Sequence, residues 1–369
     1  MKALKKDMGY ALTVFLCVLL IFNPQKSMMY AREGLLLCSD IIIPSLFPFF
    51  VCSGLLVYSG FCEVMAKAAA PVMKPLFNIN PTGAAAFVLG IVSGYPQGAV
   101  TAGQLYGGGY LSKSEAERLL AFCNNSGPLF ILGTVGAAMY KNPKIGILLY
   151  ASHILGAITV GVIFRFYKKE SYNAPVSGIN TERKNISQVF SSAINDSVRS
   201  ILMVCASVIF CSVISKLVLD MFHLDGTLGA AAASLLEFVS GLGKISSLDI
   251  GECEKLIMSA AVCAFAGLSV HLQVMGVVSD KNLSLKPYFA GKVLHAVFAC
   301  TYTFIAIRLF PITETVFGAA TGDKKMYMGF FMGSSCVMTA VFAGIAVFAV
   351  YCVFRPHNNR FATKTGNKI

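Results

Sequence analysis

The sequence predicts an all-α, polytopic membrane protein, and three observations carry that prediction. Of its 369 residues, 56% are hydrophobic and only 13% are charged, with a mean hydropathy of +0.69. Several apolar runs reach about 20 residues, the length that a helix needs to cross a bilayer. The net charge of +12 comes from Lys and Arg residues between those runs, where positive charge orients membrane proteins. The lipid bilayer is therefore an expected partner, and nucleic acid is not.

The first half of the chain begins with an anchor. Residues 1–33 are predicted to form an N-terminal anchor helix, apolar over 8–22, and a loop. A cleaved signal peptide is the alternative, although no small-residue cleavage motif follows. Residues 34–165 are predicted to form a first transmembrane repeat with spans at 34–58, 129–139 and 145–165. Pro44 and Pro48 should break the span at 34–58.

Two apolar segments, 82–106 and 226–248, are predicted to be re-entrant hairpins rather than spans. Pro96 and several glycines interrupt the first, and Gly and Ser residues interrupt the second. Backbone polar groups must be satisfied inside the bilayer, so a broken helix is tolerated only within protein or beside a water-filled cavity. Two hairpins also place the basic linker 166–192 and the basic C-terminus in the cytoplasm, as the positive-inside rule requires.

The second half repeats the order of the first. Residues 193–310 should form a second repeat with spans at 193–219, 256–278 and 288–310. Residues 311–369 add a last span, 327–354, and a basic tail, for about eight spans in all. Val92–Gly94 matches Val239–Gly241, and an acidic amphipathic stretch and a glycine-marked span follow each match. We therefore expect an inverted repeat, the arrangement found in many transporters.

The hairpins and the polar segments after them supply the candidate substrate-binding residues. Broken helices expose backbone amides near the bilayer midplane, where the positive end of the helix dipole attracts anions. The candidates are Ser93, Gly94, Gln97, Gly98, Asn124, Asn125 and Ser126 in the first half, and Ser240, Gly241, Gly243, Ser269, His271 and Gln273 in the second. Close helix packing is the alternative for the hairpin residues, and a hydrogen bond to a neighbouring helix is the alternative for His271.

Three charged residues in the apolar runs are further candidates. Glu237 is a candidate for ion coupling, because intramembrane carboxylates often relay protons or bind cations. Arg199 and Lys292 are candidates to neutralise an anion. Both lie near predicted span ends, where a charged head that reaches out to water is the alternative.

An enzyme is not expected. Ser269 and His271 are two residues apart, so their side chains diverge on a helix, and no nucleophile-elbow motif is present. The 12 cysteines are scattered without a CxxC pair, so neither a metal nor another cofactor is expected. The remaining classes are a transporter, which needs polar groups at the midplane, and a membrane scaffold, which does not.

Five motifs make the chain resemble the YlbJ family of sporulation integral membrane proteins, within the nucleoside-recognition or gate-domain superfamily. They are IIPSLFPFF (42–50), GIVSGYPQGA (90–99), GYLSKSEAE (109–117), FCNNSGPLFILGTVG (122–136) and FAGLSVHLQ (265–273). The resemblance implies a multi-pass protein of endospore-forming bacteria that moves a small anion, dipicolinic acid, across the outer forespore membrane. A nucleoside transporter and a non-transporting scaffold of spore maturation are the alternatives. A homo-oligomer is left open.

Overall fold

A computed structural model describes residues 2–59, 61–168 and 185–310, and every regular element in those ranges is helical. The predicted last span, and most of the predicted linker, lie outside the described residues. The helices of the first half are α1 (Lys2–Phe22), α2 (Pro24–Leu37), α3 (Ile43–Tyr58), α4 (Phe61–Val72), α5 (Ala84–Ser93), α6 (Gln97–Gly107), α7 (Lys113–Leu120) and α8 (Pro143–Phe164). Those of the second half are α9 (Ile186–Met221), α10 (Gly226–Leu236), α11 (Phe238–Ser246), α12 (Glu252–Phe265), α13 (Leu268–Val278) and α14 (Lys286–Leu309).

Five helical runs in the described part of the chain are long and apolar enough to cross a membrane. They are Pro24–Tyr58, Pro143–Phe164, Ile186–Met221, Glu252–Val278 and Lys286–Leu309. Val64–Phe77 and Pro81–Ser93, which meet at a bend of 101°, make a sixth if they form one span. The all-α, multi-pass prediction is confirmed. The predicted span at 129–139 is a π-helical segment of 11 residues, Leu129–Met139, separated from α7 by an irregular stretch.

Pro44 and Pro48 do not break their helix, contrary to the prediction. Pro24–Tyr58 is one helical run in which α2 passes through a π-helical turn, Cys38–Ile42, into α3. Pro44 lies in the first turn of α3. A wider π turn before a proline accommodates its ring and its missing N–H, which would otherwise disrupt the hydrogen bonds of the preceding turn.

Both predicted hairpins are present as helices that fold back on themselves. α5 and α6 cross at two glycines, since a Cβ built on Gly90 would lie 3.1 Å from the Cα of Gly98. In one straight helix these residues would stand about 12 Å apart along the axis. α10 and α11 cross in the same way, with a Cβ built on Gly241 only 2.4 Å from the Cα of Ser234.

The contacts between the two halves are reciprocal. Each half has a long helix (α3 or α9), a hairpin, a short helix (α7 or α12), a break, a further helix (Leu129–Met139 or α13) and a final long helix (α8 or α14). The equivalent helices α3 and α9 pack on each other, and so do α8 and α14. α6 packs on α13 as α11 packs on Leu129–Met139, and α7 packs on α14 as α12 packs on α8. A pseudo-two-fold axis between repeats produces this pattern. The inverted orientation of the repeats in the bilayer stays a prediction.

The proposed match between the two Val-Ser-Gly motifs is wrong. Val92–Gly94 precedes its turn and ends α5, whereas Val239–Gly241 follows its turn and starts α11. Ser93 and Ser240 are therefore not equivalent. Packing gives the true correspondence, in which the crossing of Gly90 with Gly98 matches the crossing of Ser234 with Gly241.

At the first hairpin crossing, adding a single methyl group to the backbone is expected to lower the stability of the fold. A Cβ on Gly98 would lie 1.9 Å from the carbonyl oxygen of Cys123, whereas a Cβ on Gly103, in the same helix, would meet nothing within 4 Å. We expect Gly98→Ala to lower the free energy of unfolding by about 1–3 kcal/mol, because backbone must move to make room. Gly103→Ala is the matched control and should lose nothing. Thermal unfolding of the purified variants measures both, and equal melting temperatures would contradict this crossing.

The inverted orientation predicts opposite labelling of two exposed positions. Lys113 follows the first hairpin and Asp249 follows the second, and both are exposed. We expect single cysteines at these positions, in a background without accessible native cysteines, to react with a membrane-impermeant maleimide from opposite sides of the membrane. The inverted-repeat arrangement is excluded if both cysteines are labelled from the same side.

Candidate functional site

The two hairpin tips pack against the two breaks in the helices that follow them. At the first tip, Gly94 has a φ of +82°, and a Cβ there would lie 2.8 Å from the backbone nitrogen of Gly127. At the second tip the glycine is on the other partner: Gly267, in the second break, would place a Cβ 2.9 Å from the backbone nitrogen of the tip residue Phe238. Only glycine allows backbones to approach this closely. Both junctions therefore bring broken helix ends, whose backbone groups need partners from outside their own helix, into the protein interior.

Lys292 on α14 places its ammonium group between the first tip and the first break. The residue is 1% exposed. Its Nζ donates hydrogen bonds to the carbonyl oxygen of Asn124 at 3.1 Å and to the Tyr95 hydroxyl at 3.3 Å. Nζ also lies 4.8 Å from the centroid of the Tyr95 ring. Within the described ranges, no carboxylate forms an ion pair with Lys292. A buried ammonium group with dipoles but no counter-charge is costly, and such groups mark functional sites in membrane proteins.

Tyr95 connects this ammonium group to the second half of the molecule. Its hydroxyl donates to the carbonyl oxygen of Cys263 at 2.6 Å. Cys263 is in the last turn of α12, where carbonyl groups have no intrahelical donor because the helix ends at Phe265. The Ser126 hydroxyl also points to this carbonyl, at 3.5 Å. One network therefore joins the first tip, both breaks and α14.

One face of α14 supplies the side chains of the cluster. Tyr288, Lys292 and His295 follow at spacings of four and three residues, so they share a helix face, and all three are buried. The Tyr288 hydroxyl lies 2.8 Å from Nδ1 of His271. His271 on α13 is buried beside this face, and Gln273, also on α13, lines a small cavity with Tyr95 and Ser126. We refer to Tyr95, Asn124, Ser126, Lys292 and their polar neighbours from α13 and α14 as the polar cluster.

Many polar atoms in and around the cluster have no partner in the described part of the protein. They are both side-chain polar atoms of Asn124 and Gln273, Oδ1 of Asn125, the Ser269 hydroxyl, Nε2 of His271 and Nδ1 of His153. Such atoms normally find a partner, because each unpaired buried group costs about 1–3 kcal/mol. Their concentration around one cation indicates a site for a polar ligand.

A small cavity borders the cluster. It has a volume of about 30 Å³ and is lined by Tyr95, Ser126 and Gln273 on its polar side, with Phe130 and Phe238 on its apolar side. Phe238 stands edge-on to the Tyr95 ring, with the ring centroids 5.9 Å apart. The two hairpin tips thus meet through these aromatic rings and close over the polar groups.

The structure places the first polar segment against Lys292 and buries the second in α13. Asn124 and Ser126 are in the network. Asn125 lies between them in the chain, and its Nδ2 donates to the Phe122 carbonyl oxygen at 2.9 Å. Ser269, His271 and Gln273 are all buried in α13. These placements fit the prediction for both polar segments, while their binding of a substrate remains a proposal.

The hairpin residues take mostly structural positions, which favours the packing alternative for them. Ser93 is buried with its hydroxyl against that of Ser53. Gly98 and Gly241 lie at the hairpin crossings, and Gly243 has nothing within 4 Å of a Cβ position. Gln97 is buried in the first turn of α6. In the hairpins it is the tip residue Tyr95 that contacts Lys292.

Glu237 caps the second limb of its hairpin. The residue is 0% exposed, and its two carboxylate oxygens accept the backbone N–H groups of Val239 at 3.1 Å and Ser240 at 2.6 Å. The start of α11 is therefore already occupied by a carboxylate from the same chain. The backbone N–H of Ser240 is therefore paired within the chain, and binding of a substrate by Ser240 stays a prediction.

Sequence reasoning missed Tyr95, Tyr288, His153 and His295, and it placed Lys292 near a water-facing span end. α14 begins at Lys286, so Lys292 lies almost two turns inside the helix, where it is buried. A usable signal was present in the sequence. The spacing of Tyr288, Lys292 and His295 along an apolar span marks a polar helix face.

Fold and site together define a multi-pass, all-α membrane protein with two helical hairpins around a buried polar cluster. Residues 41–217 match the model of the Gate family, described as nucleoside recognition. The sporulation integral membrane protein YlbJ of Bacillus subtilis (strain 168) is 29% identical to this chain, over 79% of the chain and 80% of its own length. No solved structure matches the chain. The chain is thus a multi-pass membrane protein that is similar to the Gate family over residues 41–217 and to YlbJ over most of its length.

The geometry of Glu237 makes the capping and the ion-coupling roles separable. We expect Glu237→Ala to destabilise the protein by about 0.5–2 kcal/mol, as loss of an N-cap does. Glu237→Gln has a side chain of the same shape with one acceptor oxygen left, so it should be more stable than the alanine variant. Both are measured by thermal unfolding and by abundance in the membrane. Normal stability of the alanine variant would exclude capping as the role of this carboxylate.

Proposed function

We propose that this protein transports a small anionic metabolite through the polar cluster, with dipicolinate crossing the outer forespore membrane as the specific case. The observation that supports it is the buried Lys292 ammonium group without a carboxylate partner among the described residues. An anion would provide the missing counter-charge. The unpaired groups of Asn124, Ser269, His271 and Gln273 would bind its oxygens.

Transport requires the hairpin tips to separate. The cavity of about 30 Å³ has roughly the volume that one water molecule takes in the liquid, so a metabolite does not fit while the tips are closed. The tips meet through side chains, Tyr95 and Phe238, and Tyr95 reaches the second half through one hydrogen bond to Cys263. Exchange of these few contacts for contacts with a bound anion would open the site to one side.

The family description favours a second substrate class, a nucleoside. Residues 41–217 match a model described as nucleoside recognition, and buried amides such as Gln273 suit a nucleobase edge. The unpaired charge of Lys292 favours an anion over a neutral nucleoside, because an unpaired buried cation gains more from a counter-charge than from a neutral group. The name of the YlbJ homologue supports a role in sporulation.

Lys292→Met tests this function. Because the substitution removes an unpaired buried charge, we expect it to leave stability unchanged or raised. Dipicolinate uptake into proteoliposomes should nevertheless fall at least about tenfold, since a hydrogen bond to a charged group contributes about 1.5–3 kcal/mol. Lys286→Met, on an exposed residue of the same helix, is the matched control and should transport normally.

The outcome also separates the alternatives. Uptake of a nucleoside but not of dipicolinate by the unmodified protein would favour the second substrate class. If a stable Lys292→Met protein retains full uptake, the polar cluster is not the anion site. A null strain that accumulates dipicolinate normally in its spores would favour a scaffold of spore maturation.

A further inference from the structure

His153 and His295 form a pair of tilted rings, with 49° between their planes, near Lys292. Their ring centroids are 4.4 Å apart, and each residue is 1% exposed. His153 is at the middle of α8 and His295 is near the middle of α14, the two helices that occupy equivalent places in the repeats. Two titratable side chains therefore face each other across the pseudo-two-fold axis, near the expected midplane of the bilayer.

Hydrogen bonds determine whether one nitrogen of each ring carries a proton. The backbone N–H of Ser126 donates to Nε2 of His153 at 3.1 Å, so that nitrogen carries no proton. Nε2 of His295 donates to the backbone carbonyl oxygen of His153 at 2.8 Å. A protonated imidazole has a proton on both nitrogens. Protonated His153 therefore cannot accept the hydrogen bond from Ser126, and the N–H groups of the two residues would repel each other.

That bond holds the first break in place. Ser126 belongs to the segment Asn124–Gly127, which supplies the carbonyl oxygen bound by Lys292 and packs against the first hairpin tip through Gly127. Loss of the bond between Ser126 and His153 would release this segment from α8. Protonation of His153 is thus tied by geometry to the position of the segment that forms part of the site.

Lys292 also couples protonation of the histidine pair to the binding of an anion in the polar cluster. Lys292 and His295 are three residues apart on α14, and the ring centroid of His295 lies 4.4 Å from that of His153. In the described part of the chain, no carboxylate forms an ion pair with His153. A second positive charge beside the lysine is unfavourable in a low dielectric. An anion bound to Lys292 removes that opposition, so anion and proton favour each other's binding.

We propose that the histidine pair binds one proton for each anion and couples proton entry to movement of the segment Asn124–Gly127, an inference that rests on the proposed transport function. The pair takes one proton because two imidazolium rings at this separation would repel. The proton comes from the solution to which the cluster is open, crosses with the anion and leaves on the other side. Coupling is reciprocal, so the anion binds more tightly as the pH falls.

Dipicolinate binding to the purified full-length protein tests the coupling. The carboxyl groups of the ligand, with ordinary pKa values, remain ionised between pH 7.5 and pH 5. A change of affinity in this range therefore comes from a proton that the protein binds. We expect binding to be at least about fivefold tighter at pH 5, the lower end of typical coupling between sites. In proteoliposomes, acidifying the outside should raise uptake.

His153→Gln removes the titrating group but keeps an acceptor for the Ser126 N–H. This variant should bind dipicolinate with an affinity that no longer depends on pH, and its uptake should not respond to the pH gradient. His223→Gln is the matched control, because His223 is exposed at the end of α9, and it should behave as the unmodified protein. Full pH dependence in the His153→Gln protein would overturn the proposal, and so would pH-independent uptake by the unmodified protein.

Hydrogen exchange gives a readout that needs no substrate. Amides of the segment Asn124–Gly127 should exchange faster at pH 5 in the unmodified protein than in His153→Gln, after correction for intrinsic chemical exchange. Unchanged protection of the segment between pH 7.5 and pH 5 overturns the proposal, even if the variant fails to fold. Absence of any dipicolinate binding, with pH-dependent exchange intact, would instead reject dipicolinate as the substrate and leave the proton coupling standing.

Discussion

The ammonium group of Lys292 has to be solvated by protein, and the surrounding helices are interrupted where that solvation is needed. A continuous helix offers no free carbonyl oxygen, because each one accepts from its own turn. The break after α7 frees the Asn124 carbonyl, and the end of α12 frees that of Cys263. Tyr95, at the first hairpin tip, accepts a hydrogen bond from the ammonium group and donates one to the Cys263 carbonyl. The broken helices and the buried cation therefore depend on each other.

Close backbone contact is the second constraint, and it explains the glycines better than substrate binding does. The carbonyl oxygen of Cys123 lies in the cleft of the first hairpin, within 2 Å of the Cβ positions of both Gly90 and Gly98. At the second hairpin Ser234 and Gly241 make the crossing. Membrane helices without a hydrophobic drive for association gain from such contacts, because small residues allow dispersion forces to act over the whole interface.

The two halves share a framework but differ at the tips. The first tip carries Tyr95, which contacts Lys292, while the second carries Glu237, whose carboxylate satisfies the first amides of α11. Asn124 and Asn125 mark the first break, where the second has Ala264 and Phe265. The polar cluster is therefore asymmetric although the fold is two-fold. Among the described residues, Lys292 contacts the first tip, through Tyr95.

Local patterns in the amino-acid sequence were enough to predict the class of fold, the two broken segments and the polar residues after them. Apolar run length, interrupting glycines and costly amides such as Asn124 and Gln273 are local properties, and each has a direct physical meaning in a bilayer. These patterns misplaced the repeat by matching Val92–Gly94 with Val239–Gly241, because similarity of three residues carries no information about the side of a turn on which they lie. Only the tertiary structure decided that Lys292 is buried and that Glu237 is a cap. Those roles depend on which helices meet, and His153 meets His295 only because α8 and α14 pack across the pseudo-two-fold axis.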